Sequence, residues 1–432
     1  MRRRGFRNMR WLFIGLLVSV GVTVGVASPD LTFMSTQLRP ITEAEWVRTV
    51  LLPPFTEETG IRVVFLGVEE PELTTRVLAE YEAGKGSLDL VGDLHGNFLV
   101  YYKALKDLSA ELSQLEALGD RTLAKTFVEL GRIDGAQVYI PWMQATYVLV
   151  ANKKALAYMP SRVATEGLPY LTYDELLEWA KNIYQATGEK RLGIPAGPKS
   201  LLCRFLHGYL YPSFTGAQVK KFNSPEAVAM WQYLKELWEY VNPAVLTLDS
   251  MDTALLSEEV WIAWDHTARV KTAILERPDD FVVLPAPAGP KGRGVITVLA
   301  GLAIPKTSPD PAGAYRLIEY LTRPSTQAMI LQGVGFFPVV AEAAGAVPTG
   351  GLKVLADGVA AQSAAPDLLV SIIPGGLGAR SDEFKKVYVD AFTEIVLRGR
   401  PIEEVLAQQG ALLDALFRET GAPIPVPDVY LP

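Results

Sequence analysis

Three short stretches of the sequence place chemically capable side chains directly after apolar, β-branched runs. Leu88–Val91 leads into Gly92, Asp93, Leu94, His95, Gly96 and Asn97. Val260–Trp264 leads into Asp265 and His266, so an aromatic ring, a carboxylate and an imidazole follow one another at a strand end. Leu31–Met34 is followed by Ser35, Thr36 and Gln37, short polar groups able to bond hydroxyls. In open α/β sheets ligands bind beyond the carboxyl ends of strands, where loops converge. Asp, Asn and His offer planar donors and acceptors for pairs of hydroxyls, and Trp offers a large rigid face for apolar C–H patches. Trp142, directly after Pro141, joins the set, with Gln144 two residues on and on the same side of an extended segment. Gly301 would let a backbone approach a ligand closely. The candidate ligand-binding residues are therefore Gln37, Asp93, His95, Trp142, Trp264, Asp265, His266 and Gly301.

Catalytic signatures are missing. The stretch Gly197-Pro198-Lys199-Ser200 lacks the first glycine of a phosphate-binding loop and sets a proline where a backbone N–H is needed. Neither H-E-x-x-H nor G-x-S-x-G occurs. His95, His207 and His266 are far apart and lack metal-ligand spacing, so neither metal nor cofactor is expected. Carboxylates abound, Asp93 and Asp265 among them. A glycoside-acting enzyme, with two carboxyls about 5 to 9.5 Å apart across one bond, is therefore the competing reading.

Strand-like and helix-like segments alternate over most of the chain, the mark of an α/β protein. The predicted strands are Leu31–Met34, Ile61–Phe65, Leu88–Val91, Thr146–Val150, Val260–Trp264, Phe281–Leu284 and Val295–Ile304. Thr42 with Glu45, and Thr172 with Glu175, fit the capping box at a helix start. Ser224-Pro225 reads as an N-cap followed by proline in the first turn. The stripe Ala227, Trp231, Leu234 and Trp238 predicts a core-facing helix. The Pro/Gly-rich stretch Leu284–Gly294 predicts a connector at which the chain crosses between domains.

The N-terminus supplies a separate line of reasoning. Five arginines lie within Met1–Arg10, an uncharged apolar run covers Trp11–Val26, and Ala27-Ser28 follow. This is the pattern of a secretory leader over residues 1–28, and an uncleaved anchor is the alternative. Removing the five leader arginines takes the formal charge from −7 to −12. Such acidity argues against nucleic acid or an anionic membrane surface as partner. The single cysteine, Cys203, excludes an intrachain disulfide, so the apolar 49% of the chain must supply stability through its cores. At this length two domains are expected.

The order of segments resembles the extracellular solute-binding proteins of ABC importers, in the sugar-binding group that includes maltose-binding protein. Pro54-Phe55-Thr56-Glu57-Glu58-Thr59-Gly60-Ile61-Arg62-Val63 resembles that group's opening helix and second strand. Gly84 to Val91 is similar to its G-x-g-p-D-v-v strand, and Tyr139-Ile140-Pro141 to Lys154 to its y-x-i-P…l-x-Y-N-k segment, with Ala151 in place of the tyrosine. Leu284-Pro285-Ala286-Pro287 to Gly294, Ala300 to Lys306, Ala314 to Gln327 and Gly335-Phe336-Phe337-Pro338-Val339 continue the likeness in the same order. The resemblance implies a two-lobed periplasmic-binding-protein-like fold with discontinuous lobes and a hinge. Lobe one would comprise residues 29–146 and 296–336, and lobe two residues 147–295 and 337–432. It implies capture of a small solute, a carbohydrate, in an interlobe cleft outside the cytoplasm. Delivery to ABC importer permease subunits, as a monomer, is implied too. Asp93 and His95 match its sugar-contact turn, and Trp264 its ligand loop. Arginines in the cleft, for which Arg204 and Arg269 qualify, would instead suit a phosphorylated polyol such as glycerol phosphate.

Overall fold

The computed structural model describes residues 30–166, 170–347 and 349–431. The expected leader lies outside the described residues. One large sheet organises the chain. Its strands are β1 (Leu31–Ser35), β2 (Val63–Gly67), β3 (Leu90–Leu94), β4 (Ile140–Asn152), β5 (Leu192–Gly193), β6 (Ile262–His266), β7 (Phe281–Leu284), β8 (Arg293–Ala303), β9 (Phe337–Pro338) and β10 (Leu368–Ser371). Their lateral order is β2-β1-β3-β8-β4-β6-β5, with β7 and β9 paired to β4 and β10 to β8. β1 runs parallel to both β2 and β3. β8 is antiparallel to β3 and to β4, and β4 is antiparallel to β6.

Two cores form on this sheet. The first gathers Phe33, Phe65, Leu90, Trp142 and Met143 with Leu299, Leu302, Leu317 and Leu321. The second gathers Tyr147, Val148, Trp179, Trp231 and Trp264 with Val295, Ile296, Leu355, Tyr388 and Leu406. The change of core falls inside single strands: between Met143 and Tyr147 of β4, and between Ile296 and Leu299 of β8. All thirteen residues of β4 are buried, because each end is covered by its own set of helices, as in a sheet clothed on both faces. The Pro/Gly connector before β8 belongs to the second core, with Ala286 fully buried there. The crossing is made by the strand that follows, whose ladder with β4 is regular from Thr297 to Ala300 and shifts register only at Ala300/Gly301, so backbone groups stay paired through the hinge. Val339, Val340 and Val426 return to the first core.

Local signals explain the helices that matter. The helix α1 (His95–Tyr101) starts at the end of β3. In α2 (Tyr173–Thr187), Thr172 and Glu175 form the predicted capping box and Gly188 closes the helix in the left-handed region. Ser224 caps α3 (Pro225–Trp238) as expected. Trp231 is fully buried, and Trp238 packs edge-on against Phe392 with centroids 4.6 Å apart. The box at Thr42 and Glu45 does not form. That helix begins at Ile41 after Pro40, which puts Thr42 inside the first turn, with no side-chain cap. α4 (Gly351–Ser363) lies against the crossing: Gln362 donates to Thr146 Oγ1 (2.9 Å) and to the Tyr147 carbonyl (3.0 Å), and accepts from the Ala286 N–H. Among the described residues no helix is long and apolar enough to cross a membrane.

Candidate functional site

β3 and β6 approach the crossing from opposite cores, and their carboxyl ends meet the same two shared strands. Leu94 pairs with Ala300 of β8, and His266 pairs with Tyr147 of β4. Between them lie Ala145–Thr146 and Thr297–Leu299, the residues that pair across the hinge. Side chains alternate along β4. Gln144 and Thr146 point to the α4 side, bonding Pro338 and Gln362. Ala145 and Tyr147 therefore face the other way. The cleft lies on that second side.

On the first lobe's wall, Asp93 is fully buried and acts as a hub. Its carboxylate accepts from Thr36 Oγ1 (2.6 Å), Asn97 Nδ2 (2.8 Å), the Leu94 N–H (2.8 Å) and the Tyr101 hydroxyl (2.8 Å). Burial raises its pKa, and these donors oppose that rise without cancelling it. Asp93 lies within β3, opposite Gly301, so its role is to lock the end of β1, the end of β3 and α1 together. His95 is nearly buried. Its Nδ1 is 2.8 Å from the Tyr139 hydroxyl, and burial holds its pKa down at about 4. Gln37 is half-buried at the end of β1 and donates from Nε2 to Thr36 Oγ1 (3.0 Å). Trp142 is fully buried in the first core, edge-on to Phe33. Gly301 owes its lack of a side chain to packing: a Cβ there would come within 2.2 Å of the Tyr139 ring.

On the second lobe's wall, Trp264 is 1% exposed. It stacks on Tyr147 with centroids 4.9 Å apart and planes at 4°, and touches the rings of Phe205 and Tyr209. Asp265 is fully buried and accepts from the Met251 N–H (3.0 Å) and the His266 N–H (2.7 Å); burial pushes its pKa up to about 7. His266 is partly exposed and meets the Tyr147 ring edge-on. Its Nδ1 accepts the Ala268 N–H (3.1 Å). Burial first, then the charges of Arg269 and Arg204, hold its pKa down at about 4.

Of the predicted residues, His95 lines the small space between the lobes, Gln37 and His266 are partly exposed at the ends of β1 and β6, and Asp93, Trp142, Trp264, Asp265 and Gly301 are buried. Three neighbours lie outside the predicted set. Tyr147 follows from strand register, which no local signal carries. Asn97 is attached to Asp93. The segment Ile373–Gly375 closes over the cleft, and a Cβ on Gly375 would come within 2.5 Å of the Gly96 carbonyl oxygen. The lobes are thus drawn together, and the space left between His95, Asn97, Thr297–Leu299 and Gly375 is only about 60 Å³. A ligand-sized pocket needs about 300 Å³ or more, so this space is several times too small for one as the lobes stand.

Two further features frame the site. The C-terminal segment is fastened to both cores: Val426 packs in the first, while Asp428 accepts the N–H groups of Gln218, Val219 (2.6 Å) and Lys220 (2.6 Å) beside the second. On the α4 side a cavity of about 640 Å³ opens between Thr122–Phe127, Gln144, Phe337–Ala341 and the helix face of Ala356, Val359 and Ala360. No group of three or more potential metal ligands occurs among the described residues.

A family profile described as bacterial extracellular solute-binding protein matches residues 51–350. No curated protein sequence matches the chain. Among solved structures, the sugar-binding protein MalE from the phytopathogen Xanthomonas citri is similar at a TM-score of 0.69 and 16% identity, covering 90% of this chain and 98% of that one. Maltose-bound T. maritima MalE3 gives 0.58 and 20%, covering 90% and 99%. UgpB from Mycobacterium tuberculosis, in complex with glycerophosphocholine, gives 0.60 and 19%, covering 91% and 99%. At these identities the likeness establishes the two-lobed fold.

Proposed function

Because the chain belongs to the bacterial extracellular solute-binding protein family, we propose that it captures a small polyhydroxylated solute, a saccharide or a close relative, between its lobes and delivers it to the permease subunits of an ABC importer. The carrying observation is the convergence of β3 and β6, from separate cores, on the two strands that both cores share. A ligand seated there touches both walls and so favours the closed arrangement over the open one, which is the differential affinity that closure requires. The ligands named for the structural neighbours, maltose and glycerophosphocholine, support this class. Lobe one is assigned to residues 29–146 and 296–336, and lobe two to 147–295 and 337–432, acting as a monomer outside the cytoplasm. Gln37, Asn97 and His266 are the direct contacts in this reading; Asp93, Trp142, Trp264, Asp265 and Gly301 hold them in place.

The same geometry disfavours a glycoside-acting enzyme. Asp93 and Asp265 are both fully buried, with their oxygens turned to internal donors, which leaves no room for a glycosidic bond between them. The test is calorimetric titration against a panel of mono- and oligosaccharides, with reducing ends assayed over hours in the same samples. Saturable binding without product is expected. Steady release of reducing ends would replace capture with hydrolysis.

A further inference from the structure

Near Tyr147 and His266 lie two guanidinium groups that no acid neutralises. Arg204 is half-buried on the short helix Leu202–Phe205, with Nη1 3.0 Å from His207 Nε2. Arg269 is half-buried in the turn after His266 and donates from Nη1 to the carbonyls of Asp249 (2.6 Å) and Lys199 (3.1 Å). Neither forms an ion pair with a carboxylate among the described residues. Asp265, which feels the charge of Arg269, has both oxygens taken by backbone N–H groups. The rest of this wall also donates. With Nδ1 accepting from Ala268, a neutral His266 carries its proton on Nε2. The Tyr147 hydroxyl completes the set. The Tyr147 hydroxyl can accept as well as donate, so what sets this wall apart is its pair of guanidinium groups without a carboxylate partner. The amides of Gln37 and Asn97, which can both accept and donate, stand on the opposite lobe.

We propose that Arg204 and Arg269 form an anion subsite, so that the captured solute is a polyol or saccharide bearing a phosphate or carboxylate, with the anion on lobe two and the hydroxyls on lobe one. This rests on the capture reading given above and names its ligand class. Guanidinium suits such a site because its fixed fork matches phosphate and carboxylate bidentately, and partial burial strengthens the attraction.

The test is calorimetric titration of the full chain with glycerol 3-phosphate, digalacturonate and maltose, in the native protein and in Arg204→Gln and Arg269→Gln. At least one anionic probe is expected to bind, more weakly as salt is raised. Each variant should lose about tenfold or more in affinity for it, the loss expected when a charge-assisted contact is removed. Which probe binds separates phosphate from carboxylate. Melting curves confirm that the variants fold; if either fails, Arg204→Lys keeps the charge without the fork and should bind with intermediate affinity. Maltose binding with no anion bound overturns the subsite but leaves solute capture standing. Binding of none of the three overturns both. Anion binding that is indifferent to all the arginine variants overturns the assignment of the subsite to these residues.

Discussion

Trp264 offers the sharpest test of how the second lobe's wall is built. An aromatic ring at a strand end suggests a platform under a ligand, yet here the indole is 1% exposed and surrounded by rings, with Tyr147 stacked at 4.9 Å, Phe205 at 4.9 Å and Tyr209 at 5.1 Å. Truncating a fully buried tryptophan to alanine costs about 3–5 kcal/mol, because the lost contacts are not recovered by collapse. Unfolding entropy is about 2.1 cal/mol/K per residue, so a lobe of roughly 245 residues loses about 0.5 kcal/mol of stability per degree near its midpoint. Trp264→Ala is therefore expected to lower the melting temperature of the second lobe by about 8 °C, or by about 5 °C if both lobes unfold as one unit. Trp264→Phe should lose much less, since it keeps an aromatic stack and removes an indole N–H that has no hydrogen-bond partner. Differential scanning calorimetry reads both variants. A melting temperature within about 2 °C of the native protein for Trp264→Ala, combined with a large loss of ligand affinity, would mean that the indole faces the ligand and that the packing argument is wrong.

Asp93→Ala should destabilise the first lobe by about 3 kcal/mol, leaving Thr36, Asn97 and Tyr101 without their shared acceptor; urea unfolding checks this, and Asp93→Asn should lose less. Stability against pH carries opposing contributions. Asp265, raised from 3.8 to about 7, holds a proton in the folded state that the unfolded chain releases, so its contribution falls as pH rises through that window. His95 and His266, lowered from 6.5 to about 4, do the reverse, and their contribution rises between pH 4 and 6.5. Asp265→Asn should therefore show a steeper gain in urea midpoint from pH 4.5 to 6.5 than the native protein; parallel curves would discount the raised Asp265. Ala360→Trp places an indole in the cavity on the α4 side, behind the strands that cross between the lobes, so parting the lobes about those strands is expected to squeeze it. It should favour the closed arrangement and tighten ligand binding by a few-fold, read by titration, whereas weaker binding would show that this cavity does not change with closure.

Much of the scaffold was legible. The strand Phe281–Leu284 lies where its β-branched run puts it, and the caps at Thr172 and Ser224 form because side-chain oxygens meet free N–H groups within three residues. The site was legible only as a neighbourhood. β4 is buried throughout, so it carries no polar alternation to tell which face of Trp142 or Tyr147 meets solvent. Register decides that Tyr147 sits beside His266, and register depends on partners more than a hundred residues away. Asp93 shows the other limit. A carboxylate after glycine at a strand end reads the same whether it reaches for a ligand or for Thr36, Asn97 and Tyr101, and only the three-dimensional count of donors separates the two.

The interleaving of the two cores bears on how the chain is made. The first core draws on residues from Leu31 to Val426 and the second on residues from Tyr147 to Phe417. A nascent chain folds domain by domain when each domain is contiguous. Here neither core can close until nearly the whole chain has left the ribosome. Premature compaction is thereby postponed while the chain is being made. By the same logic a product truncated before the helix Ile402–Thr420 would leave the second core without Val405, Leu406, Leu413 and Leu416, and the first without Val426.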